Sequence, residues 1–308
     1  MHIKPPASLP GTVNLFINSA CNFHCHHCYA TFQDIRQFAP PKLTQVEAQE
    51  IIGHIAAQPL SANLLARKIT FVGGEPTLCP FLPELVSFAK ESGLVTAVIT
   101  NGLTLTPKHL QRFAGILDWI GLSIDSVCPV NNRIIGRATR QGASLDEANY
   151  LERIRWIREV GARLKINTVV TTHNCNENLS DFIRTARPVR WKILQMTPVA
   201  GQNDRQIGSL KVSRAVFDAY IKRHAGLSES DTIVIPESID TIRGSYAMIS
   251  PDGKFFDSSS GRHKYSSPIK EVGLMTAFQQ VTFDAVKYDG RDGNYDPFTG
   301  ESNLPKKI

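Results

Sequence analysis

The chain has 308 residues, 42% of them hydrophobic and 20% charged, with a formal net charge of +6 and a pI near 9.0. That is the composition of a soluble globular chain, long enough for one large α/β domain or two small ones, and it excludes a disordered or fibrous class. No apolar run approaches the ~18 residues of a membrane span, and the opening MHIKPPASLPG lacks an apolar signal core, so a cytoplasmic protein is expected.

Strands and helices alternate from the start. VNLFI (13–17) reads as a first strand that runs straight into CNFHCHHC, Cys21 to Cys28. Thr44 with Glu47 three residues later forms a capping box, opening a helix through Ile51, Ile52 and Ile55. KITFV (68–72) is a second strand, followed by Gly73-Gly74-Glu75-Pro76 and a helix near Leu82–Lys90. VTAVIT (95–100) leads to Asn101-Gly102, and Thr106-Pro107 starts another helix, with proline at its first position. IGLSID (120–125) is a fourth strand. Ser144-x-x-Glu147 is expected to cap a helix reaching Val160. LKINTVV (164–170) and RWKILQM (190–196) complete six strands with a short helix between them. The alternation argues parallel βαβ units, in an open doubly wound sheet or a partial barrel.

From Gly208 the pattern changes. A helix over 213–224 and the run TIVI precede a predicted hairpin, SYAMI (245–249) and KFF (254–256), turning at Pro251-Asp252-Gly253. The expected organisation is a short lead (1–12), a core (13–207) and a C-terminal extension (208–308).

Three of the six cysteines fall within eight residues, spaced C-x3-C-x2-C, a pattern that fits a metal or redox site better than a disulfide framework. Zinc would need a fourth ligand, for which His24, His26 and His27 are candidates, yet the spacing is not the paired C-x2-C of zinc ribbons. An iron–sulfur cluster held by three thiolates would keep one iron open for a substrate. Cys79, Cys128 and Cys175 are scattered and read as inert buried thiols.

The two later strands carry unusual inward charge. Lys165 and Asn167 share one face of LKINTV, and Arg190 and Lys192 share one face of RWKIL. Cations facing a barrel interior are costly unless an anion meets them. Their number suits a triphosphate of roughly −4 charge, through charge-assisted hydrogen bonds. The positive residues form no long run, so neither a nucleic-acid partner nor membrane attachment is expected.

C-x3-C-x2-C after a first strand and GGEP after a second resemble the radical S-adenosylmethionine superfamily. The resemblance implies a partial (β/α)6 barrel with a C-terminal extension, and a [4Fe–4S] cluster on Cys21, Cys25 and Cys28 that binds S-adenosylmethionine. More specifically, KITFVGGEP, IIGRA (134–138), KINTVV, PVRWKILQ (188–195), VIPES (234–238), SYAMI and RDGNY (291–295) resemble the viperin family over nearly the whole chain after residue 10.

That family dehydrates a nucleoside triphosphate, CTP in animals, to its 3′-deoxy-3′,4′-didehydro form. By position, Gly74, Glu75, Asn101, Ser123 and Arg137 are implied contacts of S-adenosylmethionine. Lys165, Arg190, Lys192 and Arg291 are implied triphosphate ligands, with Lys68 and Asn167 nearby and Lys264 standing beside the position where relatives have a lysine. Tyr246 falls where the family places a tyrosine proposed to deliver hydrogen or an electron.

The chain departs from the pattern at His27, where an aromatic residue is usual, and in its ending PKKI, where animal members have tryptophan. It also starts its barrel within about a dozen residues, without the amphipathic helix of animal members. No cysteine follows Cys175, which argues against a second cluster. A flavodoxin- or ferredoxin-like electron donor and a role in antiphage defence are further implications. The competing readings are a radical enzyme with another anionic substrate, and a zinc-stapled scaffold that binds RNA.

Overall fold

A computed structural model describes residues 8–36, 41–62, 64–204, 207–227 and 231–302. The first seven residues of the expected lead and the PKKI ending lie outside the described residues.

The first six strands are β1 Thr12–Phe16, β2 Lys68–Val72, β3 Val95–Thr100, β4 Trp119–Ser123, β5 Arg163–Val170 and β6 Arg190–Gln195. They pair in chain order, all parallel. The connections carry helices α1 Gln45–Ala56, α2 Leu82–Glu91, α3 Pro107–Gln111, α4 Pro129–Ile134, α5 Glu147–Glu159 and α6 Ser180–Ala186. This is the expected (β/α)6 core, since parallel neighbours require crossover helices.

Each strand divides its side chains by the two-residue period. Val13 and Leu15, Ile69 and Phe71, Ile120 and Leu122, Leu164 and Ile166, and Trp191 and Ile193 enter the main hydrophobic core with residues of the helices. Lys68 and Thr70, Lys165 and Asn167, and Lys192 and Leu194 alternate with them and line an interior cavity. Full burial of one such large apolar side chain is worth about 1.5–3 kcal/mol, so a register slip of one residue is strongly disfavoured.

The extension is built onto the same sheet. After α7 Ile207–Leu210 and α8 Arg214–Arg223, β7 Ile233–Glu237 pairs parallel with β6. After α9 Ile239–Ile242, β8 Ala247–Ile249 pairs parallel with β1, at the opposite end. β9 Lys254–Asp257 folds back antiparallel on β8, as the hairpin signal at 251–253 predicted, and β10 Lys264–Pro268 continues outward. Among the described residues the sheet therefore has ten strands, in the order β10-β9-β8-β1-β2-β3-β4-β5-β6-β7. Short helices α10 Ile269–Val272, α11 Leu274–Gln279 and α12 Ala285–Gly290 follow. None of the described helices is long and apolar enough to cross a membrane.

Two local expectations need correction. α5 is capped by Asp146, whose side chain accepts from the Asn149 N–H at 2.8 Å while the Asn149 side chain accepts from the Asp146 N–H at 3.4 Å. Ser144 instead donates to the Pro129 carbonyl at 3.4 Å. The spacing S-x-x-E thus coincides with a real helix start two residues too early, because Asp-x-x-Asn can satisfy the same orphan N–H groups. Cys128 and Cys175 are also only half-buried, unlike Cys79.

Asp146→Ala is expected to lower unfolding free energy by ~1 kcal/mol, whereas Ser144→Ala costs a few tenths at most. Urea denaturation of the two variants distinguishes the caps.

Candidate active site

A cavity of about 960 Å³ is lined by the strand residues that alternate with those of the main core. The cysteine loop and the GGEP loop follow the C-terminal ends of β1 and β2, whereas Lys68, Lys165 and Lys192 lie in the first half of their strands. Thiols are thus at the mouth and ammonium groups at the floor. The C-terminal strand ends are where barrel enzymes of this kind carry their chemistry.

At the mouth the two loops are locked together. Gly74 N–H donates to the Asn18 carbonyl at 2.9 Å, and Glu75 N–H to the Ala20 carbonyl at 2.8 Å. A Cβ at Gly74 would lie 2.2 Å from the Ala20 oxygen, so only glycine permits this approach. Glu75 is buried. Its Oε1 accepts from the Thr77 N–H and hydroxyl and from the Thr100 hydroxyl, and its Oε2 accepts from the Asn101 N–H at 2.8 Å. Four protein donors on one carboxylate brace the GGEP loop and leave only Oε2 with spare acceptor capacity. Asn101 reaches back to Asn22 of the cysteine loop, donating from Nδ2 to Oδ1 at 2.7 Å.

Burial pushes the thiols up, to about 11 for Cys21 and Cys28 and about 12 for Cys25, and they raise one another while the Arg137 guanidinium pulls in the opposite direction. Thiols so placed stay protonated at neutral pH unless a metal supplies positive charge. The histidines are committed elsewhere. His24 accepts from Arg140 Nε at 3.2 Å, and His27 Nε2 lies 3.2 Å from Asp125 Oδ2. His26 packs where a Cβ on Gly136 (φ +74°) would strike it. Among the described residues no three His, Cys, Asp or Glu side chains meet as a single ion requires. Three thiols on one loop facing a cavity fit a cluster that takes one thiolate per iron and keeps one iron open.

Asp125, which the sequence reading missed, organises the wall beside the thiols. It is fully buried and accepts from Arg137 Nε at 2.5 Å and from the Val169 N–H at 2.8 Å. Burial alone would raise its carboxyl, but Arg137 and His27 outweigh that and hold it below the usual carboxylate range. Arg137 also donates to the Ser123 carbonyl at 3.2 Å. Four further cavity-lining residues, Ser123, Asp125, Arg137 and His27, are therefore one unit.

The floor holds most of the cations expected there. Lys68, Lys165, Lys192 and Arg291 line the cavity with Asn167 and Tyr246. Lys165 makes no side-chain hydrogen bond or ion pair among the described residues, and burial followed by repulsion from Lys192, Lys68 and Arg190 pulls its ammonium well below the usual range. Lys68 is depressed in the same way by burial and neighbouring cations, and donates to the Tyr295 hydroxyl. Two carboxylates answer these charges. Glu237 accepts from Lys192, from the Tyr246 hydroxyl, and from Arg291 Nη1 at 3.3 Å. Asp292 accepts from Arg190 Nη2 at 2.5 Å.

Two expected ligands are not brought to the cavity. Arg190 is fully buried beneath the floor, held by Asp292 and by the Gly300 carbonyl at 2.6 Å, with its guanidinium 3.8 Å from the Tyr295 ring centre. It acts there through its charge and its packing. Lys264 sits exposed on β10, at the far edge of the sheet, away from the cavity lining. Besides Asp125, the sequence reading missed Glu237, Asp292 and Tyr295 as site residues, although each lies inside a motif it quoted or beside one. It also missed Gln202, whose Oε1 accepts from the Phe32 N–H at 2.8 Å and fixes that residue in the left-handed region (φ 52°).

A family profile described as the radical SAM superfamily matches residues 15–188, and the chain belongs to that superfamily. The S-adenosylmethionine-dependent nucleotide dehydratase of Flammeovirga pacifica is 40% identical over 92% of this chain and 95% of its own length. That of Lacinutrix mariniflava is 42% identical over 96% of this chain, which spans about 60% of that relative's length. In fold, Streptococcus suis SuiB bound to S-adenosylmethionine superposes with a TM-score of 0.61 at 15% identity, covering 80% of this chain and 60% of SuiB. The chain is a member of the S-adenosylmethionine-dependent nucleotide dehydratases, the viperin family.

Asp125→Asn keeps the shape and removes the charge that answers Arg137. Breaking a buried pair in this way is expected to cost about 3–5 kcal/mol, measured by urea denaturation of the cluster-free protein.

Proposed function

We propose that the protein is a radical S-adenosylmethionine enzyme that dehydrates a nucleoside triphosphate, CTP first with UTP or GTP as alternatives, to its 3′-deoxy-3′,4′-didehydro form. The observation that carries this reading is the pairing of a floor with more cations than carboxylates and a three-thiol mouth in one cavity. Cys21, Cys25 and Cys28 would hold the [4Fe–4S] cluster, with the GGEP backbone, Asn101, Ser123 and Arg137 around the S-adenosylmethionine. Bound there, these groups supply a 5′-deoxyadenosyl radical able to remove the ribose 4′ hydrogen.

The chain's own part is position and electrostatics. Lys68, Lys165 and Arg291 take the triphosphate at the floor, which directs the ribose toward the mouth, and Lys192, level with Asn167 in the sheet, stands between phosphates and sugar. Asn167, one strand step beyond Lys165 on the same face, is available to the sugar or phosphates. The walls between floor and mouth exclude water while the sugar carries an unpaired electron. The 3′ hydroxyl leaves as water, and Tyr246 stands beside the cations to supply what closes the sequence. A chain-terminating nucleotide product would serve antiphage defence in the cytoplasm, with a flavodoxin- or ferredoxin-like protein as electron source.

Anaerobic reconstituted protein with dithionite, S-adenosylmethionine and each of CTP, UTP, GTP and ATP tests the reading. One triphosphate should stimulate 5′-deoxyadenosine formation and yield a nucleotide lighter by one water. Equal slow cleavage with all four and no dehydrated nucleotide would overturn it.

The floor also sets a pH dependence. Burial pushes Lys192 down to about 8 even though Glu237 pulls the other way. Only the ammonium attracts phosphate, so the triphosphate association constant should fall as pH rises above about 8, up to about tenfold per pH unit for each proton taken up on binding. For folding the sign is reversed. The unfolded lysine holds its proton to near its ordinary value, so this group's contribution to stability increases between about 8 and that value. Calorimetric titration of the cluster-free protein with CTP across pH 7 to 9.5 checks the first expectation.

A further inference from the structure

Glu237 is the last residue of β7, fully buried, and its carboxylate joins three groups that stand apart in the chain. The Tyr246 hydroxyl donates to Oε2, and Lys192 Nζ donates to Oε1. Lys192 Nζ also donates to the Tyr246 oxygen at 3.2 Å, and the Arg291 guanidinium carbon lies 3.7 Å from the centre of the Tyr246 ring. The direction of these bonds matters. An ionised carboxylate can only accept, so the phenolic hydrogen of Tyr246 points at Glu237 and is not directed into the cavity. A tyrosine oriented in this way is poorly set to hand over an intact hydrogen atom. It is well set to lose an electron while its proton moves along an existing hydrogen bond.

Resting on the dehydratase reading above, we propose that Glu237 is the positioning residue that makes Tyr246 an electron donor, by accepting its phenolic proton and returning a proton to Lys192. The step balances as follows. The C3′–O bond of the ribose radical breaks, and the departing hydroxyl takes a proton from the Lys192 ammonium and leaves as water. One electron from Tyr246 completes the C3′–C4′ double bond. The phenolic proton passes to Glu237 and on to the neutral Lys192 amine, restoring carboxylate and ammonium. Tyr246 is left as a neutral tyrosyl radical, which a one-electron protein donor of flavodoxin or ferredoxin class reduces, with one proton from solvent, before the next turnover.

Two further features support the relay. Burial pushes the Tyr246 phenol well above its usual range, so it holds its proton until it is oxidised. Lys192, pushed down to about 8 by burial, is a more willing acid than an exposed lysine. The cationic face that Arg291 lays on the ring also makes an electron costly to remove unless the proton leaves with it.

The relay separates binding from coupling, which an architectural role does not. Removing a negative charge from among cations should leave triphosphate affinity equal or higher, while product formation fails. Glu237→Gln is therefore expected to bind CTP, UTP and GTP at least as tightly as wild type in calorimetry of the cluster-free protein. In the reconstituted enzyme it should still form 5′-deoxyadenosine, but dehydrated nucleotide per 5′-deoxyadenosine should fall by about a hundredfold, the lower end of the range for a lost proton-transfer partner. Tyr246→Phe should show the same fall, and the double variant should be no worse than Tyr246→Phe alone. Glu237→Asp, which withdraws the carboxylate by one methylene, should uncouple partially.

Unchanged coupling in Glu237→Gln, with or without weaker nucleotide binding, would overturn the proposal. So would unchanged coupling in Tyr246→Phe, which tests the relay even where position 237 does not tolerate glutamine. Wild-type enzyme that makes no dehydrated nucleotide from any triphosphate would overturn the dehydratase reading and the relay with it. Active wild type with fully coupled variants would overturn the relay alone.

Discussion

Five cations, Lys68, Lys165, Arg190, Lys192 and Arg291, gather at the bottom of one barrel, and two carboxylates, Glu237 and Asp292, face them. The surrounding architecture depends on that imbalance being tolerated. A buried charge without a partner costs several kcal/mol, so such a floor survives only where each neutralising contact is in place. Both carboxylates come from the C-terminal extension. Glu237 arrives on β7 and Asp292 on the turn after α12, where Arg291, Asp292 and Gly293 reverse the chain under the strands. The rings of Tyr246 and Tyr295, lying 3.7 Å and 3.8 Å from the Arg291 and Arg190 guanidinium carbons, soften the remaining repulsion. The extension thus supplies both counter-charges of the core's cations, together with Arg291.

The mouth follows a different logic. There burial favours the protonated form of the thiols, and the loops that carry them are braced by hydrogen bonds. The Glu75 carboxylate clamps the GGEP loop to the end of β3, Gly74 lets that loop press against the cysteine loop, and Asn101 ties the two. On the other side Asp125 fixes Arg137 and His27 beside the thiols. Mouth and charged floor lie at different levels of the same strands, the thiols beyond their C-terminal ends and the lysines in their first halves. His27, which departs from the aromatic pattern at its position, uses its ring for Asp125, so the departure has a structural partner.

Much of this was legible beforehand for a physical reason. Period-two alternation in LKINTVV and RWKIL placed Lys165, Asn167 and Lys192 on the inner face, and the structure has them there, because a slip would bury charge in the helical layer. Arg190 obeyed the same alternation yet lies below the cavity, since alternation gives a face and says nothing of depth. Lys264 was misplaced because proximity to a familiar position carries no information about strand pairing, and β10 joins the outer edge. Ser144 misled because two capping pairs overlap in sequence and only local backbone geometry chooses between them.

By itself the sequence determined the order of the six core strands, the inward face of β5 and β6, and the cysteine and GGEP loops at neighbouring strand ends. These are local properties, governed by backbone periodicity and by the few residues that permit a tight approach. Tertiary structure alone decided that β7 and β8 join opposite edges of one sheet, and that Glu237 and Asp292 become the counter-charges of cations far away in the chain. It also decided that the Tyr246 hydroxyl points at a carboxylate. Such pairings are set by long-range contacts between buried ionised groups, whose cost forces them together only once the chain has closed around them.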